Sequence, residues 1–125
     1  MTIPAHARVR AVPNFLACLR NARCFMQEQD GESAPARFKR LQGELARARE
    51  LLSFAPASGR PARFLEARSG WGRFQAEQAC QLAATLGMPY LREFVLDRHI
   101  LLYAHAGSEV VLLSIRHERT LGYGL

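Results

Sequence analysis

Three short apolar segments near the C-terminal end restrict the fold of this chain more than any other feature. They are Leu91-Arg-Glu-Phe-Val-Leu-Asp97, His99-Ile-Leu-Leu-Tyr-Ala-His105 and Val110-Val-Leu-Leu-Ser-Ile-Arg-His117, with Gly107-Ser108 between the last two. Together they read as a three-stranded antiparallel meander. A two-residue turn at Gly107-Ser108 suits a type I′ or II′ hairpin and fixes the register. Ala106 then faces Glu109, Ala104 faces Val111, Leu102 faces Leu113, Ile100 faces Ile115, and Arg98 lies across from His117. Because side chains alternate between faces, Ile100, Leu102, Ala104, Val111, Leu113 and Ile115 form one apolar wall. His99, Leu101, Tyr103, His105, Val110, Leu112, Ser114 and Arg116 form the other, which is half apolar and partly basic. A face of that kind needs a cover, from a partner, a second copy of the chain or a further helix.

Upstream, Ala7 to Val12 alternates and reads as an edge strand before Pro13. Phe15, Cys18, Leu19, Ala22 and Phe25 or Met26 then recur at three and four residues, which predicts a helix ending at Gln29-Asp30-Gly31. Ser33 is placed to cap a second helix, with Pro35 in its first turn. Phe38, Leu41, Leu45, Ala48 and Leu52 give that helix a regular apolar stripe, and the two helices form an antiparallel hairpin. Phe54-Ala-Pro-Ala-Ser-Gly-Arg-Pro61 ends it. Trp71 to Leu86 reads as a third, shorter helix with Trp71, Phe74, Ala79, Leu82 and Leu86 as its apolar positions. The fold class is therefore α+β: a helical hairpin packed on one face of a small antiparallel sheet, with an extra short helix before the C-terminal meander. At 125 residues, one domain spanning 1–125 is expected.

Seventeen Lys and Arg against eleven Asp and Glu give a net charge of +6, and Lys39 is the sole lysine. Arginine suits forked contacts with carboxylate and phosphate, so an acidic protein, nucleic acid or an enzyme that holds nucleic acid fits as partner. No apolar run approaches the roughly 20 residues of a membrane span, so no membrane partner is expected. Arg8 and Arg10 are followed by no apolar run with a small-residue cleavage site, so no secretory leader is expected. Three cysteines without a C-x-x-C spacing suit a reduced, cytoplasmic chain.

Little in the chain points to bound cofactors. His99 and His105 share a face but stand about 20 Å apart on one strand at ~3.3 Å per residue, so no metal site is expected. A nucleophile elbow and a phosphate-cradling glycine loop are both missing, so no cofactor is expected. The end of the last strand gathers Arg116, His117, Glu118, Arg119 and Tyr123. RNA cleavage by 2′-hydroxyl attack needs a base, an acid for the leaving 5′-oxygen and cations for the phosphorane. His117 or Tyr123 with Arg98 and Arg119 would supply those roles. Alternatively, His117 caps the strand and the arginines pair with Glu118, Glu109 or a partner's acids, and that reading is favoured over catalysis.

The helical hairpin, the joint at 54–61, the strands at 91–97 and 100–103, and the closing Leu112-Leu-Ser-Ile-Arg-His-Glu-Arg119 resemble the ParE/RelE toxins of type II toxin–antitoxin systems. The Ile-Arg-His-x-Arg ending is similar to ParE-like members in particular. The resemblance covers most of the chain. It implies two packed helices against a twisted antiparallel sheet, wrapped by a cognate antitoxin with an acidic toxin-binding segment. ParE-like members poison DNA gyrase without catalysis, whereas RelE-like members cut mRNA in the ribosomal A site, often with lysines that are missing here. On this resemblance, Arg37, Arg40, Arg47, Arg116, His117 and Arg119 are the expected target contacts. His99, Leu101, Tyr103, His105 and Leu112 are the expected antitoxin contacts. The alternatives are a RelE-like endoribonuclease using Arg98, His117, Arg119 and Tyr123 on ribosome-bound mRNA, or a toxin-derived binding module that has lost activity.

Overall fold

The computed structural model describes residues 6–63, 69–120 and 122–125, so the expectation about an N-terminal leader lies partly outside it. The chain runs β1 (Arg8–Ala11), α1 (Pro13–Asp30), α2 (Ala34–Phe54), β2 (Arg60–Pro61), α3 (Gly70–Thr85), β3 (Tyr90–Val95), β4 (His99–Ala106) and β5 (Glu109–His117). Short 3-10 turns at Gly31–Ser33 and Pro56–Ser58 flank α2. The architecture is α+β, with one five-stranded sheet in the order β1-β5-β4-β3-β2.

The sheet is mixed rather than antiparallel. β1 runs parallel to β5, with Val9 beside Val110, while the other neighbours are antiparallel. A parallel pair needs a long crossover, and everything from α1 to β4 supplies it here. β2 is a two-residue edge inside the segment expected to be only a joint.

The helices begin and end where local chemistry dictates. Pro13 and Pro35 stand in the first turns of α1 and α2, where a fixed φ helps and a missing N–H costs nothing. Gly31 ends α1 with a positive φ of 54°. Ser69 caps α3 by accepting a hydrogen bond from the Gly72 N–H at 3.1 Å. In α2 the predicted stripe faces inward, with Leu41, Ala48 and Leu52 buried and Phe38 and Leu45 packed beside them. On α1, Met26 takes the inward position and Phe25 is exposed.

Two findings correct the expected layering. First, the sheet is covered on both faces. α1 and α2 pack over Leu101, Tyr103, Val110, Leu112 and Ile115. α3 and the C-terminal Tyr123 pack over Leu91, Ile100, Leu102, Ala104, Val111 and Leu113. Second, α3 buries Gly72, Gln75, Ala79 and Ala83, leaving Trp71 and Phe74 exposed instead of in the core. Gly72, Ala79 and Ala83 are small and let the helix lie close to the sheet, an approach that the two large rings would block.

The β4–β5 register also departs from simple alternation. It starts as expected, with Ala106 opposite Glu109, Ala104 opposite Val111, and Gly107 at φ 55° as a type II′ turn requires. Between Leu102 and Tyr103 it then shifts: Tyr103 pairs with Leu112 but Leu102 pairs with Ser114, so Leu113 is the extra residue of a bulge. Beyond it, Ile115 faces Leu101 and joins the α1/α2 side, Arg116 faces Ile100, and His117 faces His99 rather than Arg98.

Tyr103 is one of the residues that tie the connector from α2 to β3 to the sheet, beside the β2–β3 pairing and Arg92, which donates to the Gly59 carbonyl at 2.9 Å. The Tyr103 hydroxyl donates to the Pro56 carbonyl at 2.7 Å and accepts from the Gly59 N–H at 2.9 Å. A Cβ on Gly59 would stand 2.6 Å from both the Tyr103 hydroxyl and the Glu93 carbonyl, so no larger residue fits.

Candidate functional site

The five side chains expected to meet an antitoxin are not an open surface. His99, Leu101, Tyr103, His105 and Leu112 are all buried, on the face where the chain's own α1 and α2 pack. The half-apolar face is covered from within, which corrects the expected docking site. His105 is held in a polar rim: its Nε2 accepts from Arg92 Nε at 3.0 Å and its ring stacks on Tyr90. Burial, and then the Arg92 charge, lowers its pKa and keeps the imidazole neutral.

His99 meets His117 edge to face with ring centroids 5.3 Å apart. Burial pushes His99 down to about 4, the charge of His117 adds to the depression, and Glu118 opposes it. An unfolded histidine titrates near 6.5, so between pH 6.5 and about 4 the unfolded chain holds the extra proton. The stability that goes with a neutral His99 is present above pH 6.5 and is lost as pH falls through that window. Urea unfolding should show a loss of about 2 kcal/mol between pH 7 and pH 5 from this residue. His99→Gln should flatten that slope, and an unchanged slope would assign the acid sensitivity elsewhere.

Of the four residues considered for RNA cleavage, the structure brings no working set together. Tyr123 is buried on the α3 side of the sheet, whereas His117 lies beside His99 on the α1/α2 side. Arg98 and Arg119 are exposed. Arg98 meets the end of β5 through its backbone, its carbonyl accepting from the Glu118 N–H at 2.9 Å. His117 Nδ1 accepts from the Arg119 N–H at 3.2 Å, which is the strand-capping role.

Tyr123 belongs instead to a polar cluster that no local sequence pattern marks. Its hydroxyl donates a short hydrogen bond to Glu93 Oε2, and Glu93 is only 1% exposed. Glu93 Oε1 accepts from the Arg63 N–H at 2.9 Å and from Arg60 Nε at 3.4 Å. Burial and the Glu93 carboxylate push the Tyr123 phenol far up, so it stays protonated at every physiological pH. Arg116 lies over the Tyr123 ring at 5.1 Å and donates to the Thr120 carbonyl at 2.8 Å. Gln75 clasps the Tyr123 backbone in both directions, at 2.9 and 2.8 Å. Asn14 and Ser114 both donate to the Gly124 carbonyl at 2.8 Å. The cluster fastens the C-terminal segment to the sheet, and it holds the phenol away from solvent.

The expected target contacts divide accordingly. Arg37, Arg40 and Arg47 lie along one exposed line of α2 at spacings of three and seven. Arg40 reaches Asp97 at 3.2 Å and Glu44 at 3.8 Å, and Arg37 reaches Asp30 at 3.6 Å. These pairs are solvated and contribute little to stability, so the guanidiniums remain available to a partner. Arg119 is free to point outward, whereas Arg116 is committed to the tail. Among the described residues no three His, Cys, Asp or Glu side chains gather as a metal ion would require, and no helix is long and apolar enough to cross a membrane. No protein-family model matches this sequence, and no curated protein matches it.

Proposed function

We propose that this chain is the toxin of a type II toxin–antitoxin pair, of the ParE-like kind that acts on DNA gyrase and is neutralised by a cognate acidic antitoxin. The observation that carries the reading is the helical hairpin of α1 and α2 seated on the sheet, with Arg37, Arg40 and Arg47 outward. The hairpin is the part of the arrangement that the resemblance implies, the mixed sheet and α3 on its second face are not, and the warrant is analogy of fold and motif. A non-catalytic mode is favoured over mRNA cleavage because Tyr123 is sequestered on Glu93 and separated from His117 by the sheet. Binding then acts through charge: a basic helix face steers toward an acidic surface and holds it.

Incubating the protein with DNA gyrase, ATP and plasmid should abolish supercoiling and trap linear DNA. Reversing Arg37, Arg40 and Arg47 to Glu should weaken that effect by at least about tenfold. Gyrase that supercoils normally in a molar excess of the protein would sink the reading. Cut mRNA on translating ribosomes would then replace it with the ribonuclease alternative.

A further inference from the structure

α3 turns its two large rings outward. Trp71 is 53% exposed and Phe74 50%, with ring centroids 5.9 Å apart and planes inclined by 33°. They lie side by side as one platform, unlike the scattered apolar residues that any surface carries. The platform is backed from one side. A Cβ on Gly122 would stand 3.1 Å from Trp71 Nε1 and 2.9 Å from Gln75 Oε1, so the C-terminal backbone runs against the indole edge. Arginines border it. Arg73 lies between the two rings in sequence, is exposed, and makes no ion pair among the described residues. Arg116 reaches the Thr120 carbonyl, two residues before Gly122. The nearest acid along the helix is Glu77, one turn beyond Arg73.

We propose that Trp71 and Phe74 bind single-stranded nucleic acid, each ring stacking against a base while Arg73 meets the phosphate between them. Four features select that occupant. Open ring faces accept the π-face of any base, which is how sequence-tolerant single-strand binding works. Seventeen Lys and Arg against eleven Asp and Glu draw a polyanion toward the chain. The rings stand on the outer side of a helix whose backbone is bonded within itself, so an extended peptide finds no strand edge to pair with. α1 and α2 lie across the sheet, so no second helix joins α3 to make the groove that a helical peptide needs. A second copy of the chain fits poorly, since two side chains fall far short of the roughly 1,000 Å² of a stable protein interface, and like charges would meet at Arg73. The resemblance to toxins implies neither α3 nor a role for its rings. The platform also lies across the sheet from the hairpin that carries Arg37, Arg40 and Arg47, so the inference stands apart from the gyrase reading.

Trp71 is the sole tryptophan of the chain, so its fluorescence reports on this platform alone. A thymidine oligomer of about 12 nucleotides, titrated into the whole protein, should quench that emission by about half, as a base stacked on an indole does. A uridine oligomer of the same length is the second arm, and whichever binds more tightly tells DNA from RNA as the natural strand. Phe74→Ala and Arg73→Glu should each weaken binding about tenfold, with Trp71 kept as reporter. Phe25→Ala, an equally exposed ring on α1, should leave binding unchanged. All three positions are exposed, so the variants should fold, which circular dichroism checks. Lack of quenching by both oligomers overturns the proposal. So does equal quenching by inorganic polyphosphate of the same charge, which would mean attraction without stacking, and so does undiminished affinity in Phe74→Ala. A blue shift that grows with the chain's own concentration would assign the rings to a second copy, and one seen only on phosphatidylglycerol vesicles would assign them to a membrane surface. Either result also overturns it.

Discussion

Tyr103→Ala should destabilise the protein by about 4 kcal/mol, the largest effect expected from any single truncation here. The side chain is fully buried under α1 and α2, where removing an aromatic ring leaves a cavity that neighbours on two helices and a sheet cannot close. The hydroxyl adds a second loss. Its two hydrogen bonds, to the Pro56 carbonyl and from the Gly59 N–H, help join the end of α2 to the sheet, beside the Arg92 guanidinium that donates to the Gly59 carbonyl. Tyr103→Phe isolates that part and should cost about 1–2 kcal/mol, as expected when buried polar groups lose a partner. A domain of this size has about 5–15 kcal/mol in total, so the alanine variant should be partly unfolded near body temperature. Urea denaturation of the three proteins measures both numbers. A cost below about 1 kcal/mol for alanine would mean that the connector is held some other way.

Glu93→Ala should cost about 3 kcal/mol and should free the C-terminal segment. The carboxylate is the shared acceptor of the Tyr123 hydroxyl, the Arg63 N–H and Arg60 Nε. Arg60 is partly exposed and can turn to water, which keeps the loss below that of a fully enclosed ion pair. The Tyr123 hydroxyl cannot do so while its ring stays packed on the sheet. Glu93→Gln preserves shape and one acceptor, so it should fall about midway. Native-state hydrogen exchange supplies the local readout. The Tyr123 amide is bonded to Gln75 Oε1, and it should exchange far faster in the alanine variant while β4 and β5 amides keep their protection. If Tyr123 and β4 amides speed up together, the segment is not a separate fastening but part of the global unit.

How much of this was readable beforehand depends on how each element buries its side chains. α2 was legible because it buries one stripe and exposes the rest, so Phe38, Leu41, Leu45, Ala48 and Leu52 stand out at helical spacing. The β4–β5 turn was legible because Gly107 supplies the backbone that a two-residue hairpin needs. The register past that turn was not. Both faces of β4 and β5 are buried, so the run Val110 to Ile115 is apolar at nearly every position and carries no alternation to reveal a bulge at Leu113. In α3 the expected Ala79, Leu82 and Leu86 do pack on the sheet, but Trp71 and Phe74 face solvent, while Gly72 and Ala83, which hydropathy barely marks, are buried. Glu93 reads as an ordinary polar position of an alternating strand. Its role comes from Arg60 and Tyr123, each about 30 residues away in sequence, and no local pattern links them.

The parallel edge of the sheet also dictates when this protein can exist as a folded object. Among the strands of this sheet β1 leaves the ribosome first and its neighbour β5 last, about 100 residues later. Until Glu109 to His117 has been synthesised and released, β1 has no strand to pair with and the hairpin of α1 and α2 has no complete face to rest on. Early helix formation is local and fast, whereas closing so long a loop is slow. Until β5 has emerged, the nascent segment therefore exposes apolar faces of its helices and strands, which favours aggregation.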